Sequence, residues 1–448
     1  MLNQDKQIDF PQLQKIGKGR VWYPLDNSAK IFPAIKTGKV SAVFRLSIIL
    51  TEPVDPSLLQ QALTDVLPRF PNFTMKLKPG FFWYYLEPNP ARPQVYADTR
   101  YPCRRLYRKN NQGFLFRVLY FDNRISLEVF HSLTDGTGGL AFIKTLTARY
   151  LTLKTGEAIP SQEDVLDIRQ SPPEAEMEDS YKKYARLTRQ RSPYQPRAYH
   201  IKGTLEPSGR INIITARIPL DQIKKLAADF HVTLNDLLVA LYIDAFCQIQ
   251  RASEHHLTRP VVIAVPINMR RFYPTQTLRN FFLRVTPMVN QAYGEFSFEE
   301  ILAEVHHYMM IRTNEKYLNA QMFNNLRNER LMVARLIPLI LKNRILKLAY
   351  MYYGDSRTTS TLTNIGAVRF PEAMQRHVRG VEVLMGPSLS DWINCGAVSF
   401  GNTLTLTFSR RISEPLVERL FCTHLVQLGI PVQVSSNHYP AYSIIRPD

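Results

Sequence analysis

The stretch Ile125-Ser-Leu-Glu-Val-Phe-His-Ser-Leu-Thr-Asp-Gly136 decides the reading of this chain, because it carries one histidine to the point where a strand stops and a turn begins. Two-residue alternation puts Ile125, Leu127, Val129 and His131 on one face and Ser126 and Glu128 on the other. His131 therefore starts out facing inward. A second β-rich run, 114–120, lies upstream across Asp122-Asn-Arg124, so the two runs are expected to pair as a hairpin. Downstream, Asp135-Gly-Thr-Gly-Gly139 reads as a flexible turn, after which residues 140–151 (LAFIKTLTARYL) have the spacing of an amphipathic helix.

The same alternation of strand and helix continues outward. Residues 40–50 (VSAVFRLSIIL) are β-rich, Asp55 has the chemistry of an N-cap, and 56–67 follow as a helix with a proline in its first turn. An aromatic run occupies 81–86. Between about 156 and 210 the composition changes to an acidic stretch (174–179), a basic one (182–191) and several prolines. This is the expected interdomain linker, dividing the chain into 1–170, a linker at 171–210, and 211–448. The last part opens with a strand at 211–218, a helix after Asp221, and a capping-box-like Thr233-Leu-Asn-Asp236 leading into an apolar helix that ends near Arg251. A short buried strand at 261–266 and a helix behind Ser297, with Glu300 completing a capping box, come next. Strands are expected at 358–368 and 381–385, then a hairpin of 395–400 with 403–409 around Gly401-Asn402, and a last helix capped by Ser413.

A chain of 448 residues exceeds one ordinary core, which favours two large domains, and its 45% hydrophobic content suits burial rather than disorder. The four cysteines, Cys103, Cys247, Cys395 and Cys422, lie far apart without metal-ligand spacing, and read as reduced core residues of a cytoplasmic protein. The first ten residues lack the basic start and apolar core of a secretory signal. The neighbouring pairs His255-His256 and His306-His307 do not have the i, i+4 spacing of a helical metal pair, so no metal is expected.

A net charge of +18 attracts anionic partners: nucleic acid, an anionic membrane, or a phosphate-bearing cofactor. Nucleic acid is disfavoured, because the basic residues are scattered and no zinc-finger, RNP-like or GxxG element is present. The longest apolar passage, 331–353, is interrupted by Arg335, Lys342, Asn343, Arg344 and Lys347 and is too broken to span a bilayer. A helix packed on the sheet of the second domain is the favoured reading, and contact with a membrane surface or a lipid-like substrate the other.

An HxxxDG run arises by chance in roughly one chain of this kind in thirty, so its context matters more than the match. A histidine ending a strand, with Asp-Gly opening the turn into a covering helix, resembles the superfamily of coenzyme A-dependent acyltransferases. That superfamily contains chloramphenicol acetyltransferase, the plant BAHD enzymes, the condensation domains of peptide synthetases and the alcohol acetyltransferases. Val265-Pro-Ile-Asn-Met-Arg270 followed by Asn280-Phe-Phe is similar to a strand and an Asn-Phe element of its second domain, and Thr361-Leu-Thr-Asn-Ile-Gly366 to its Ser/Thr-Asn-x-Gly strand. The Asp-Phe-Gly-Trp-Gly of the plant branch has no counterpart beyond Asp391-Trp392, so the microbial alcohol acetyltransferase-like branch is nearest.

The resemblance implies an α/β (α+β) fold of two chloramphenicol acetyltransferase-like domains, each a mixed sheet with helices, and an active-site channel at their interface. It implies an acyltransferase moving an acyl group from a coenzyme A thioester to an alcohol or amine, without a covalent acyl-enzyme. Acyl-CoA is then a co-substrate rather than a bound cofactor. Neutral imidazole suits proton removal from the acceptor at neutral pH, which makes His131 the candidate general base. The resemblance implies that Asp135 forms a structural ion pair with Arg270. Thr361, Thr363 and Asn364 are the candidate oxyanion donors, and strand register decides which of them faces inward. Gly136, Gly138 and Gly139 would let backbone approach the acceptor or the pantetheine arm. A condensation-like enzyme using carrier-protein thioesters and a catalytically degenerate binding module are the alternatives. A monomer is expected.

Overall fold

The computed structural model describes residues 14–16, 20–35, 41–106, 111–188, 195–207, 210–253, 257–330, 337–386 and 391–437. Three sheets organise the chain. The first has the strand order Val378–Met385, Val43–Leu50, Arg124–Phe130, Phe116–Phe121, Val95–Ala97, antiparallel except for the final pair. The expected hairpin is present: Phe121 pairs with Arg124 across a two-residue turn in which Asp122 takes φ 48°, the left-handed region that Asp tolerates. Asp55 caps the helix Pro56–Val66 by accepting from the backbone N–H groups of Ser57 and Leu58. That helix and the long helix Gly136–Thr155 pack together over the sheet and bury Leu59, Leu63, Phe142 and Leu146 in the first core.

The second sheet runs Phe282–Val285, Val261–Asn268, Ser360–Ala367, Ile393–Phe400, Thr403–Arg410, Asn212–Pro219, Gln433–Ser436, with Met288–Val289 beside Val261–Asn268. Its central helix, Leu234–Ser253, is apolar nearly all round and buried accordingly, packed by the helices Phe298–Arg312 and Leu416–Gln427. Thr233 and Asp236 bond each other's backbone N–H in the expected capping box, as do Ser297 and Glu300. A small sheet of Gln14–Ile16, Arg20–Pro24, Tyr84–Pro88 and Met75–Pro79 completes the fold.

Several details differ from the sequence reading. Val378–Met385 lies in the first sheet, where it pairs antiparallel with Val43–Leu50; its alternating Val381 and Val383 complete the first core, so residues from both halves of the chain build it. Asp135-Gly-Thr-Gly-Gly139 is not a free turn but the cap and first turn of the helix Gly136–Thr155. Ser413 does not cap the last helix, whose N-cap position is Pro415; its hydroxyl bonds Glu206 instead. The 171–210 segment is packed where it is described. Glu176 takes a buried bidentate bond from Arg69, and Tyr181 is 1% exposed within the second core.

The helix Leu339–Ala349 also departs from expectation. Instead of lying on the second sheet it packs on the short helix Ile31–Ile35, with Lys342 donating to the Phe82 carbonyl and Asn343 to the Tyr84 hydroxyl. Residues 331–336 and the pair His255-His256 lie outside the described residues.

Candidate active site

The helix start at Gly136 determines the local geometry. Asp135 Oδ1 accepts from the N–H groups of Thr137 and Gly138 at 3.1 and 3.2 Å, which satisfies orphan donors of the first turn. Its other oxygen accepts from Arg270 Nη1 at 2.8 Å and from the Phe281 N–H at 2.9 Å. All four bonds aim the carboxylate away from His131 chemistry and into the scaffold. Arg270 in turn donates to the carbonyls of Thr277 and Arg279, so one guanidinium ties the HxxxDG turn to the 277–281 loop.

That loop comes very close. A Cβ added to Gly138 would sit 2.1 Å from Thr134 Oγ1 and 2.2 Å from the Leu278 carbonyl oxygen. At Gly139 a Cβ would lie 3.1 Å from Leu46 and 3.2 Å from Phe44. Gly138 and Gly139 thus admit protein rather than substrate, a correction to the expected role. Gly136 has room, with Ile365 at 3.7 Å.

The held loop delivers Asn280 to the histidine. Asn280 Oδ1 lies 3.0 Å from His131 Nδ1, while Asn280 Nδ2 donates to Asp26 Oδ2 at 3.1 Å. Because the Asp26 carboxylate takes the amide N–H, the Asn280 oxygen can only accept, and Nδ1 of His131 must carry the proton. Nε2 is then the basic nitrogen. The ring is stacked on Phe32 at 4.6 Å between centroids and flanked by Phe44 at 5.0 Å and Phe282 at 5.3 Å. Burial in this cage lowers the histidine pKa; the nearby Asp135 carboxylate opposes it. Burial raises the Asp26 carboxyl to about 6, against a smaller lowering effect of Arg279.

His131 opens onto a cavity of about 1280 Å³ lined from both halves of the fold. Phe32, Ala42 and Phe44 come from one half, Ala264, Phe282 and Thr361 from the other. Arg284, Arg312, Lys316 and Arg357 supply positive charge to the wall, and Asp391 is its one carboxylate among the described residues. Of the three oxyanion candidates, only Thr361 lines this cavity. Asn364 points to the other side, bonding Asn235 and the Gly366 N–H, and Thr363 is not part of the lining. Ser132 is buried and donates to the Ala29 carbonyl. Of the adjacent pair His306-His307, His306 bonds Asp236.

Asp26 escaped the sequence reading, since Leu25-Asp-Asn27 carries no motif, and Asn280 entered it without a role. Only the tertiary fold brings these residues to positions 105 and 149 places away from them at His131.

No family model and no curated protein sequence matches the chain. Solved structures do. TRI101 of F. sporotrichioides, solved with coenzyme A and T-2, superposes with a TM-score of 0.61 at 12% identity, covering 93% of this chain and 100% of that one. The chain shares the two-domain α/β fold of that structure. The same fold is shared with polyketide synthase associated protein 5 from Mycobacterium tuberculosis, at TM-score 0.59, 14% identity, 91% of this chain and 98% of that one. It is shared too with the epimerization domain from the third module of tyrocidine synthetase B, at TM-score 0.57, 13% identity, 93% and 98%. In this fold, His131 lies where the first-sheet strand Arg124–Phe130 ends and the second-sheet strand Phe282–Val285 approaches.

Proposed function

We propose that the protein transfers an acyl group from a coenzyme A thioester to a hydroxyl acceptor, with His131 as general base. The observation that carries this reading is the relay Asp26–Asn280–His131, which leaves Nε2 unprotonated at a cavity formed by both domains. A depressed pKa keeps the imidazole neutral, and so able to accept a proton, at pH 7. The acceptor oxygen attacks the thioester carbonyl carbon as its proton passes to Nε2. The tetrahedral oxyanion collapses, the C–S bond breaks, and the departing thiolate recovers the proton from the imidazolium, giving ester and free coenzyme A. Thr361 is the favoured oxyanion donor, since its position on the cavity wall allows a hydroxyl to reach developing charge. Arg284, Arg312, Lys316 and Arg357 suit the phosphates of the donor.

The reading is tested by incubating the protein with acetyl-CoA, or a longer acyl-CoA, and a panel of alcohols and amines while following free thiol. Thiol release that depends on both acyl-CoA and acceptor is expected; release unaffected by every acceptor in the panel argues against it.

A further inference from the structure

The helix Leu339–Ala349 and the turn after it present an apolar face outward. Ile340 is 78% exposed, Leu348 66%, Leu341 50% and Tyr352 50%, with Ile345 and Met351 close behind. At 100° per residue these side chains share one side of the helix, while Leu339 and Lys342 point to the other and are buried. The exposed aromatic Phe81 adjoins the helix start, its carbonyl accepting from the Leu339 N–H at 2.8 Å. Single exposed apolar residues are ordinary on a protein surface, but a cluster of this size marks an interaction site.

The charges around the face indicate its partner. Arg344 lies within it and Lys347 on its flank, and neither 337–352 nor 80–86 contains an Asp or Glu. Long basic side chains can lay their stems on the apolar surface and raise their charged ends to phosphate level. We propose that this face docks the protein on an anionic lipid bilayer, lying in the interface rather than crossing it. No single helix among the described residues is long and apolar enough to cross a membrane. The docking face adjoins the cavity. Ile31, Phe32 and Ile35, from the short helix beneath Leu339–Ala349, line it, and so does Tyr350. A docked protein would hold the cavity beside the lipid surface, from which an apolar acceptor could enter. The docking stands apart from the acyl-transfer reading, because its readout is binding.

The test is co-sedimentation of the full chain with vesicles of phosphatidylcholine alone or mixed equally with phosphatidylserine. The wild type is expected to sediment with the anionic vesicles, less with the neutral ones, and less as salt rises. The pairs Ile340→Glu/Leu348→Glu, on exposed positions, and Arg344→Glu/Lys347→Glu, on an exposed and a half-buried one, should each weaken partitioning at least about tenfold with unchanged melting, since each basic residue near an anionic surface contributes about fivefold. A wild type that stays in the supernatant with anionic vesicles overturns the proposal. So does undiminished binding by the Ile340→Glu/Leu348→Glu pair, or a wild-type dimer in solution that this pair converts to monomer, which would assign the face to a second copy of the chain.

Discussion

Asn280 presents its amide oxygen to His131 Nδ1 at 3.0 Å, and the orientation of that amide is fixed from behind by Asp26 at 3.1 Å. The histidine tautomer is therefore set by a residue from the second domain and a carboxylate from the N-terminal region. Replacing Asn280 with Ala should lower kcat about 10- to 100-fold, the usual scale for a partner that orients a reacting group, with KM little changed. Steady-state kinetics with acetyl-CoA check this; a raised KM at constant kcat would make Asn280 a binding residue instead.

Asp135 and Arg270 are both nearly buried, with side chains 7% and 12% exposed, and between them they bond backbone groups of two segments, the first turn of the helix at Thr137 and Gly138 and the loop 277–281. Asp135→Ala leaves the guanidinium without its anion and the helix without its cap. A loss of about 3 to 5 kcal/mol in unfolding free energy is expected, with a fall in rate because the loop carrying Asn280 is released. Denaturant titration measures the first, and loss of rate with unchanged stability would contradict the structural role.

The two glycines either side of Thr137 make an internal comparison. Gly138→Ala places a methyl group against the Leu278 backbone and should destabilise by about 1 to 3 kcal/mol. Gly136→Ala meets only Ile365, at 3.7 Å, and should stay within about 0.5 kcal/mol of the wild type. Thermal melts of the two variants decide the matter.

Asp26 predicts a slope in stability against pH. Burial raises its folded pKa from the ordinary 3.8 of an Asp side chain to about 6, so the folded protein holds a proton that the unfolded chain releases between those values. The contribution of this group is fully present below pH 3.8 and is lost as pH rises through about 6. It amounts to something on the order of 3 kcal/mol. Comparing Asp26→Asn with the wild type across pH 4 to 7 isolates it: the variant should show a shallower fall in stability with rising pH, and parallel curves would refute the assignment.

How much of this was legible in the sequence follows from how local each feature is. The alternation that turned His131 inward, the caps at Asp55, Thr233 and Ser297, and the Asp122-Asn123 turn are short-range patterns, and the structure reproduces them. Pairing partners are not local: nothing in Val378–Met385 distinguishes an edge strand of the first sheet from one of the second. Nor is the relay local, because Asp26 and Asn280 meet His131 only after both domains have folded. The direction in which the helix Leu339–Ala349 faces is not legible in the sequence for a related reason. Its apolar residues announced burial, whereas the buried side is the one holding Lys342, drawn in by the Phe82 carbonyl and the Trp83 ring at 3.6 Å.

The most direct test of the account is the rate of thiol release from acetyl-CoA, with an acceptor the wild type uses, by His131→Ala. Loss of the general base should lower the acceptor-dependent rate by about 10²- to 10⁴-fold while the melting temperature stays near that of the wild type. A folded His131→Ala variant that releases thiol at the wild-type rate would contradict it.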